Sequence, residues 1–177
     1  MTIVRAATPD DVAIILGFVR DLAAFEREPH AVDATEDMLA DALFGAHRAA
    51  EAVIARVDGV EVGFALFFHN FSTWTGRRGL YLEDLYVTPA ASGRGVGRAL
   101  LAHLAALALD RGCARFEWSV LDWNVDAVRF YRGLGAIGMK EWTVQRLTGD
   151  ALMRLAGRVG QPGGCDPLAD VRAGRLD

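Results

Sequence analysis

Cysteine is scarce in this chain. Only Cys113 and Cys165 occur among 177 residues, far apart and without a CxxC spacing, so neither a disulfide framework nor a zinc site is suggested. Cys113 reads as a small buried hydrophobe. Long apolar runs are missing as well. The longest, Ala99 to Leu109, is interrupted by His103 and too short to span a bilayer, and the opening MTIVRAATPDD has no basic stretch leading into an apolar one. A cytoplasmic protein without a membrane partner is expected. Positive charge is in deficit too: the net charge of −4 disfavours a nucleic-acid partner and mildly favours cationic ligands. His30, His47, His69 and His103 show no ligand spacing, so no metal is assigned.

What the chain has in quantity is apolar residues, 52% of the total, enough for a full core in one domain. TIVRAAT reads as a strand, and Thr8-Pro9-Asp10-Asp11 supplies a cap, a first-turn proline and acidic residues for a helix. Its apolar positions, from Val12 through Ile15, Leu16, Val19 and Leu22, carry that helix to about Phe25. A second helix is predicted from Thr35 to Phe44. AAEAVIARV and VEVGFALFFHN flank Asp58-Gly59, the dipeptide of a tight hairpin, and LYLEDLYV forms the next strand, ended by Pro89.

After a cluster of glycines, Val96, Leu100, Leu101 and Leu104 line a helix ending near Arg111-Gly112. ARFEWSVL is strand-like, Asn124 caps a helix to about Leu134, IGMKEWTVQRL reads as a last strand, and a short helix spans Asp150 to Leu155. These elements make a domain over residues 1–156. From Gly157 to Asp177 the composition turns Gly- and Pro-rich, a tail outside the core.

Gly93, Gly95 and Gly97 stand where amides at a helix start are free to bind an anion. A dinucleotide fingerprint fails at Arg98, where a third glycine is needed, and a P-loop fails for want of Gly-Lys-Ser/Thr. The stretch Ser92 to Gly97 resembles instead the coenzyme A pyrophosphate loop of the GNAT (Gcn5-related) N-acetyltransferases. Ser92 replaces the family's usual Arg or Gln, and Arg94 or Arg98 is expected to supply the missing charge. FEREPHAV, STWTGRRGLYLEDLYV, LDRGC and VLDWNVDAVRFYRGLGA extend the likeness over residues 3 to 156, to the family's diamine branch. STWTGR and VLDWN are closer to its thialysine type than to its spermidine/spermine type.

The resemblance implies an α/β fold whose mixed, mainly antiparallel sheet is flanked by helices and splits to admit coenzyme A. It also implies acetyl-CoA as co-substrate, a small-molecule amine as acceptor, direct attack without a covalent enzyme intermediate, and a homodimer. Such a transfer needs a base for an amine of pKa near 10.4, donors for the oxyanion, and an acid for the thiolate, with roughly those demands setting the site. By the resemblance Glu83 is the base and Tyr131 the acid, Asn124 meets the pantetheine arm, and a backbone N–H near Leu85 or Val87 serves the oxyanion. The loop Ser92, Gly93, Arg94, Gly95, Val96, Gly97 and Arg98 holds the pyrophosphate.

Glu26, Trp74 and Asp84 are the candidate substrate contacts, Trp74 through a cation–π face. Glu83 lies between Leu82 and Leu85 in a mostly apolar strand, which favours function over a solvated surface position. In a regular strand Glu83 and Asp84 point to opposite faces, and only a bulge would let both line one pocket. The alternatives are a protein lysine or N-terminal acetyltransferase, and a coenzyme-A-binding regulatory module without catalysis.

Overall fold

The computed structural model describes residues 1–157; the tail from residue 158 on, with Cys165, lies outside the described residues. Backbone contacts divide the chain into two compact units, Met1–Val120 and a second from Leu121 on. The first contains β1 (Thr2–Ala6), α1 (Val12–Phe25), α2 (Glu36–Phe44), β2 (Glu51–Val57), β3 (Val60–Ser72), β4 (Arg77–Val87), α3 (Val96–Asp110) and β5 (Arg115–Trp118). The second contains α4 (Val125–Gly133) and α5 (Gly149–Leu155).

The five strands form one sheet in the order β1-β2-β3-β4-β5, antiparallel except for the parallel pair β4–β5. The β2–β3 hairpin turns where the sequence says it should. Asp58 (φ 53°) and Gly59 (φ 85°) are both left-handed, as a two-residue turn matching strand twist requires. The apolar stripe of α1 buries Ile15 and Phe18 against Ile54 and Phe64, with Leu43 of α2 closing the cluster. The Phe18 and Phe64 rings stack at 5.7 Å. Helix α3 buries Val96, Leu100, Leu101, Leu104 and Ala108 against the sheet.

The entry to α1 is fixed by charge. Arg5 donates to both carboxylate oxygens of Asp11 at 2.6 and 2.7 Å, while the Thr8 amide and hydroxyl donate to it at 2.7 and 2.9 Å. Asp11 is buried, and its carboxyl is held down at about 2, first by the Arg5 hydrogen bonds and then by those of Thr8.

One expected element is absent. No strand forms over IGMKEWTVQRL: the residues between α4 and α5 pair with nothing in the sheet, and the Trp142 amide instead closes a turn onto the Met139 carbonyl at 3.3 Å. The apolar alternation of Ile137 and Met139 is broken by the polar pair Lys140-Glu141 before it resumes at Trp142 and Val144. A period-two pattern becomes a strand only with a ladder to join. β5 is likewise shorter than ARFEWSVL, and β4 longer than LYLEDLYV, by the three residues Arg77–Gly79.

Candidate active site

Strands β4 and β5 run together for only four residues, Gly79–Leu82 against Arg115–Trp118. Beyond Leu82, β4 continues to Val87 with β3 as its strand partner and, among the described residues, no strand on the other side. The sheet therefore splits there, and backbone groups on the open side of the Leu85–Val87 stretch are left for something other than a strand. At the mouth of the split the Tyr81 and Ser119 hydroxyls hydrogen-bond at 2.8 Å, tying β4 to the end of β5. The sequence reading missed this clasp.

The split begins at a bulge. Leu82 pairs with Phe67 and Asp84 with Leu66, so Glu83 is an extra residue with no opposite number. Its side chain is exposed, whereas that of Asp84 is half-buried. The apolar setting that singled out Glu83 in the sequence thus belongs to Asp84. Burial first, then the charges of Glu83 and Glu26, push the Asp84 carboxyl up to about 6. Glu26, just past the end of α1, is pushed upward by desolvation. The three carboxylates named from the sequence are therefore gathered around one bulge.

A phase slip in the sequence marks that bulge. Leu80 and Leu82 alternate on even positions, and Leu85 and Val87 resume on odd ones. Such a slip keeps apolar residues on one face only if one residue is skipped. Trp74 stands apart. It lies in the turn between β3 and β4 at 90% exposure, its ring in solvent rather than packed as a channel wall.

After β4, a turn at Pro89–Ala91 leads into the glycine loop, anchored on either side by buried Ala91 and Val96. Gly93 (φ 73°) and Gly95 (φ 81°) are left-handed, and a Cβ at either would meet nothing within 4 Å. The loop is thus conformationally reserved for glycine and open above. Gly95 precedes α3, so the amides of the first turn at Val96, Gly97 and Arg98 have no intrahelical acceptor. A helix start of this kind, entered through two left-handed glycines, could hold an anionic group. Arg94 is engaged with Asp58 at 3.5 Å, while Arg98 makes no ion pair among the described residues. Ser92 is exposed at the loop's entrance.

In the second unit, Asn124 caps α4, its Oδ1 accepting the Ala127 amide at 3.2 Å. Tyr131 occupies the last turns of α4, half-buried, with its ring tilted against Phe130 at 5.4 Å.

Residues 17–136 match the model of the acetyltransferase (GNAT) family. The thialysine N-epsilon-acetyltransferase of Mus musculus is 37% identical over 168 residues, covering 89% of this chain and 98% of the mouse protein. The L-ornithine N5-acetyltransferase of Arabidopsis thaliana is 32% identical over 197 residues, covering 86% of each chain. Among solved structures, an integron cassette protein from the V. cholerae mobile metagenome superposes with a TM-score of 0.74 at 26% identity, over 88% of this chain and 97% of its own.

Proposed function

The chain belongs to the GNAT family of N-acetyltransferases, and from that premise we propose that it transfers the acetyl group of acetyl-CoA to a primary amine of a small molecule carrying a second cationic group. The observation that carries this reading is the gathering of Glu26, Glu83 and Asp84 at the bulge where the sheet splits. A monoamine would leave one of these carboxylates without a partner, whereas a second cation several bonds from the reacting nitrogen satisfies it. The relatives named for thialysine and L-ornithine act on compounds of that form.

In the proposed reaction the neutral amine nitrogen attacks the thioester carbonyl carbon, and the carbonyl electron pair moves to oxygen. Backbone N–H at Leu85 or Val87, on the open side of β4, meets the oxyanion. Glu83, exposed on the bulge, takes the amine proton through water; Asp84, with its raised pKa, holds the cation. Collapse of the adduct expels the coenzyme thiolate, which Tyr131 protonates, and Asn124 holds the pantetheine arm. The Ser92–Arg98 loop binds the pyrophosphate through its amides, with Arg98 rather than Arg94 adding the charge that Ser92 does not supply. No step forms a bond to the enzyme. The working form is a homodimer.

A panel of amines with acetyl-CoA, followed by thiol release, tests the reading. Diamines and basic amino acids are expected to exceed length-matched monoamines in kcat/KM, and rates are expected to climb from neutral to mildly alkaline pH as free amine accumulates. Equal constants for matched diamines and monoamines would remove the carboxylate trap from the account. Acetylation of peptides in preference to every free amine would replace the small-molecule acceptor with a protein.

A further inference from the structure

Where β4 and β5 part, side chains take over from backbone. The last backbone pair between them is Leu82 with Trp118, and among the described residues no ladder joins the two strands beyond it. Alternation puts Leu82 and Trp118 on one face of the sheet and Tyr81 and Glu117 on the other. From that second face the Tyr81 hydroxyl meets the hydroxyl of Ser119, the first residue past the ladder, at 2.8 Å.

The row beneath the clasp is already fixed. Glu117 accepts from Arg115 Nε at 2.7 Å and from Asn70 Nδ2 of β3 at 3.1 Å, over a Gly79 whose Cβ would run into the side chains of both Asn70 and Arg115. The Tyr81 ring rests against Phe68 at 5.2 Å. β5 is therefore anchored as far as Glu117, and the hydroxyl pair is the tie that spans the opening itself. It is also within reach of a ligand, since Tyr81 is half-buried and Ser119 exposed.

The glycine loop follows the C-terminal end of β4. A long thioester anchored there and lying along the open Val87–Leu85 edge reaches the apex of the split with its acyl end leading. We propose that the Tyr81–Ser119 pair gauges the length of that acyl group and favours acetyl over longer chains. This rests on the acetyl-CoA reading above and adds to it the residues that choose the acyl group. Two hydroxyls joined by one hydrogen bond make a soft stop, because parting them costs about tenfold in affinity at most.

The test compares acyl lengths on the full chain. Calorimetry with the non-reactive thioethers S-ethyl-, S-propyl- and S-butyl-CoA reads binding without turnover, and thiol release from acetyl-, propionyl- and butyryl-CoA at one fixed amine reads the reaction. The unaltered protein is expected to lose about tenfold in each for the first added methylene. Tyr81→Phe keeps the ring that packs on Phe68 and removes its hydroxyl, while Ser119→Ala removes the partner at an exposed position. Each is expected to shrink that loss to about twofold. Ser119→Val, which puts a branched side chain where the hydroxyl stood, is expected to deepen it.

The ratio between acyl lengths carries the decision, because a clasp that only stabilised the sheet would weaken every thioether alike. A ratio unmoved by both Tyr81→Phe and Ser119→Ala, with thiol still released from acetyl-CoA, overturns the gauge and leaves the acetyl-transfer reading standing. Equal affinities of the unaltered protein for the three thioethers overturn it as well. If no thioether binds and no acyl group releases thiol, the acetyl-CoA reading and the gauge fall together.

Discussion

Asp11 and Asp84 are both withdrawn from water, and the fold treats them in opposite ways. Asp11 receives two hydrogen bonds from Arg5 and two from Thr8, and its carboxyl sits at about 2. Asp84 faces Glu83 and Glu26 instead, and sits at about 6. Desolvation raises both; what the chain places alongside decides the outcome. The corner at Asp11 is electrostatically complete and contributes stability. The bulge at Asp84 gathers three carboxylates, and in the proposed function a cationic acceptor offsets their repulsion.

The contrast has a pH signature. Asp11 has a folded value below its unfolded one, so its contribution is full above about pH 4 and is lost as pH falls toward 2. The Asp84 value is raised, so its ionisation is costlier in the folded chain than in the unfolded one. Stability therefore drops as pH climbs from about 4 to 6.

Changes at the two regions should separate cleanly. The largest effect is expected where the chemistry lies: Glu83→Gln and Tyr131→Phe should each lower kcat on the order of a hundredfold or more, with little change in the acetyl-CoA KM. Steady-state thiol release checks this, and near-normal turnover would return either residue to packing or solvation. Next, Asp11→Asn should cost about 2 kcal/mol at neutral pH in urea unfolding while leaving kcat of the folded protein unchanged. A loss of turnover there would erase the division between structural and functional carboxylates.

Asp84→Asn is expected to behave oppositely. It should narrow the preference for diamines over monoamines by about tenfold while raising the melting temperature, because a costly charge has gone. Loss of stability in that variant would mean that Asp84 has a satisfied partner. The smallest effect is expected at the loop. Arg98→Ala should raise the acetyl-CoA KM a few-fold and flatten its salt dependence, and Arg94→Ala, already engaged by Asp58, should do less.

Much of this was readable where a feature is local. Asp58-Gly59 specifies its turn because both residues tolerate left-handed backbone, and Gly93 and Gly95 mark the loop for the same reason. The helical stripe of α3 predicts what that helix buries, whereas the stripe of α1 predicts Val12, Ile15 and Leu16 but passes over Phe18, which the core takes up, and leaves Val19 and Leu22 only partly buried. The bulge left a trace in the phase slip between Leu82 and Leu85, but the trace says nothing about which carboxylate becomes buried. That depends on Glu26 arriving from a helix 57 positions earlier in the numbering than Glu83. The strand expected over IGMKEWTVQRL lies at the limit of such reading, because alternation specifies a face and not the neighbour that must supply the ladder.

In the proposed function, Asp84 is held uncomfortably charged until a cationic acceptor arrives. Carboxyl carbon NMR of labelled aspartate, with the Asp84 signal assigned by Asp84→Asn, measures this directly. The account predicts titration at about 6 in the free protein, moving downward when a non-reactive diamine analogue is added and not when a monoamine of the same length is added. Titration near the ordinary aspartate value, about 3.9, with no response to the diamine, would contradict it.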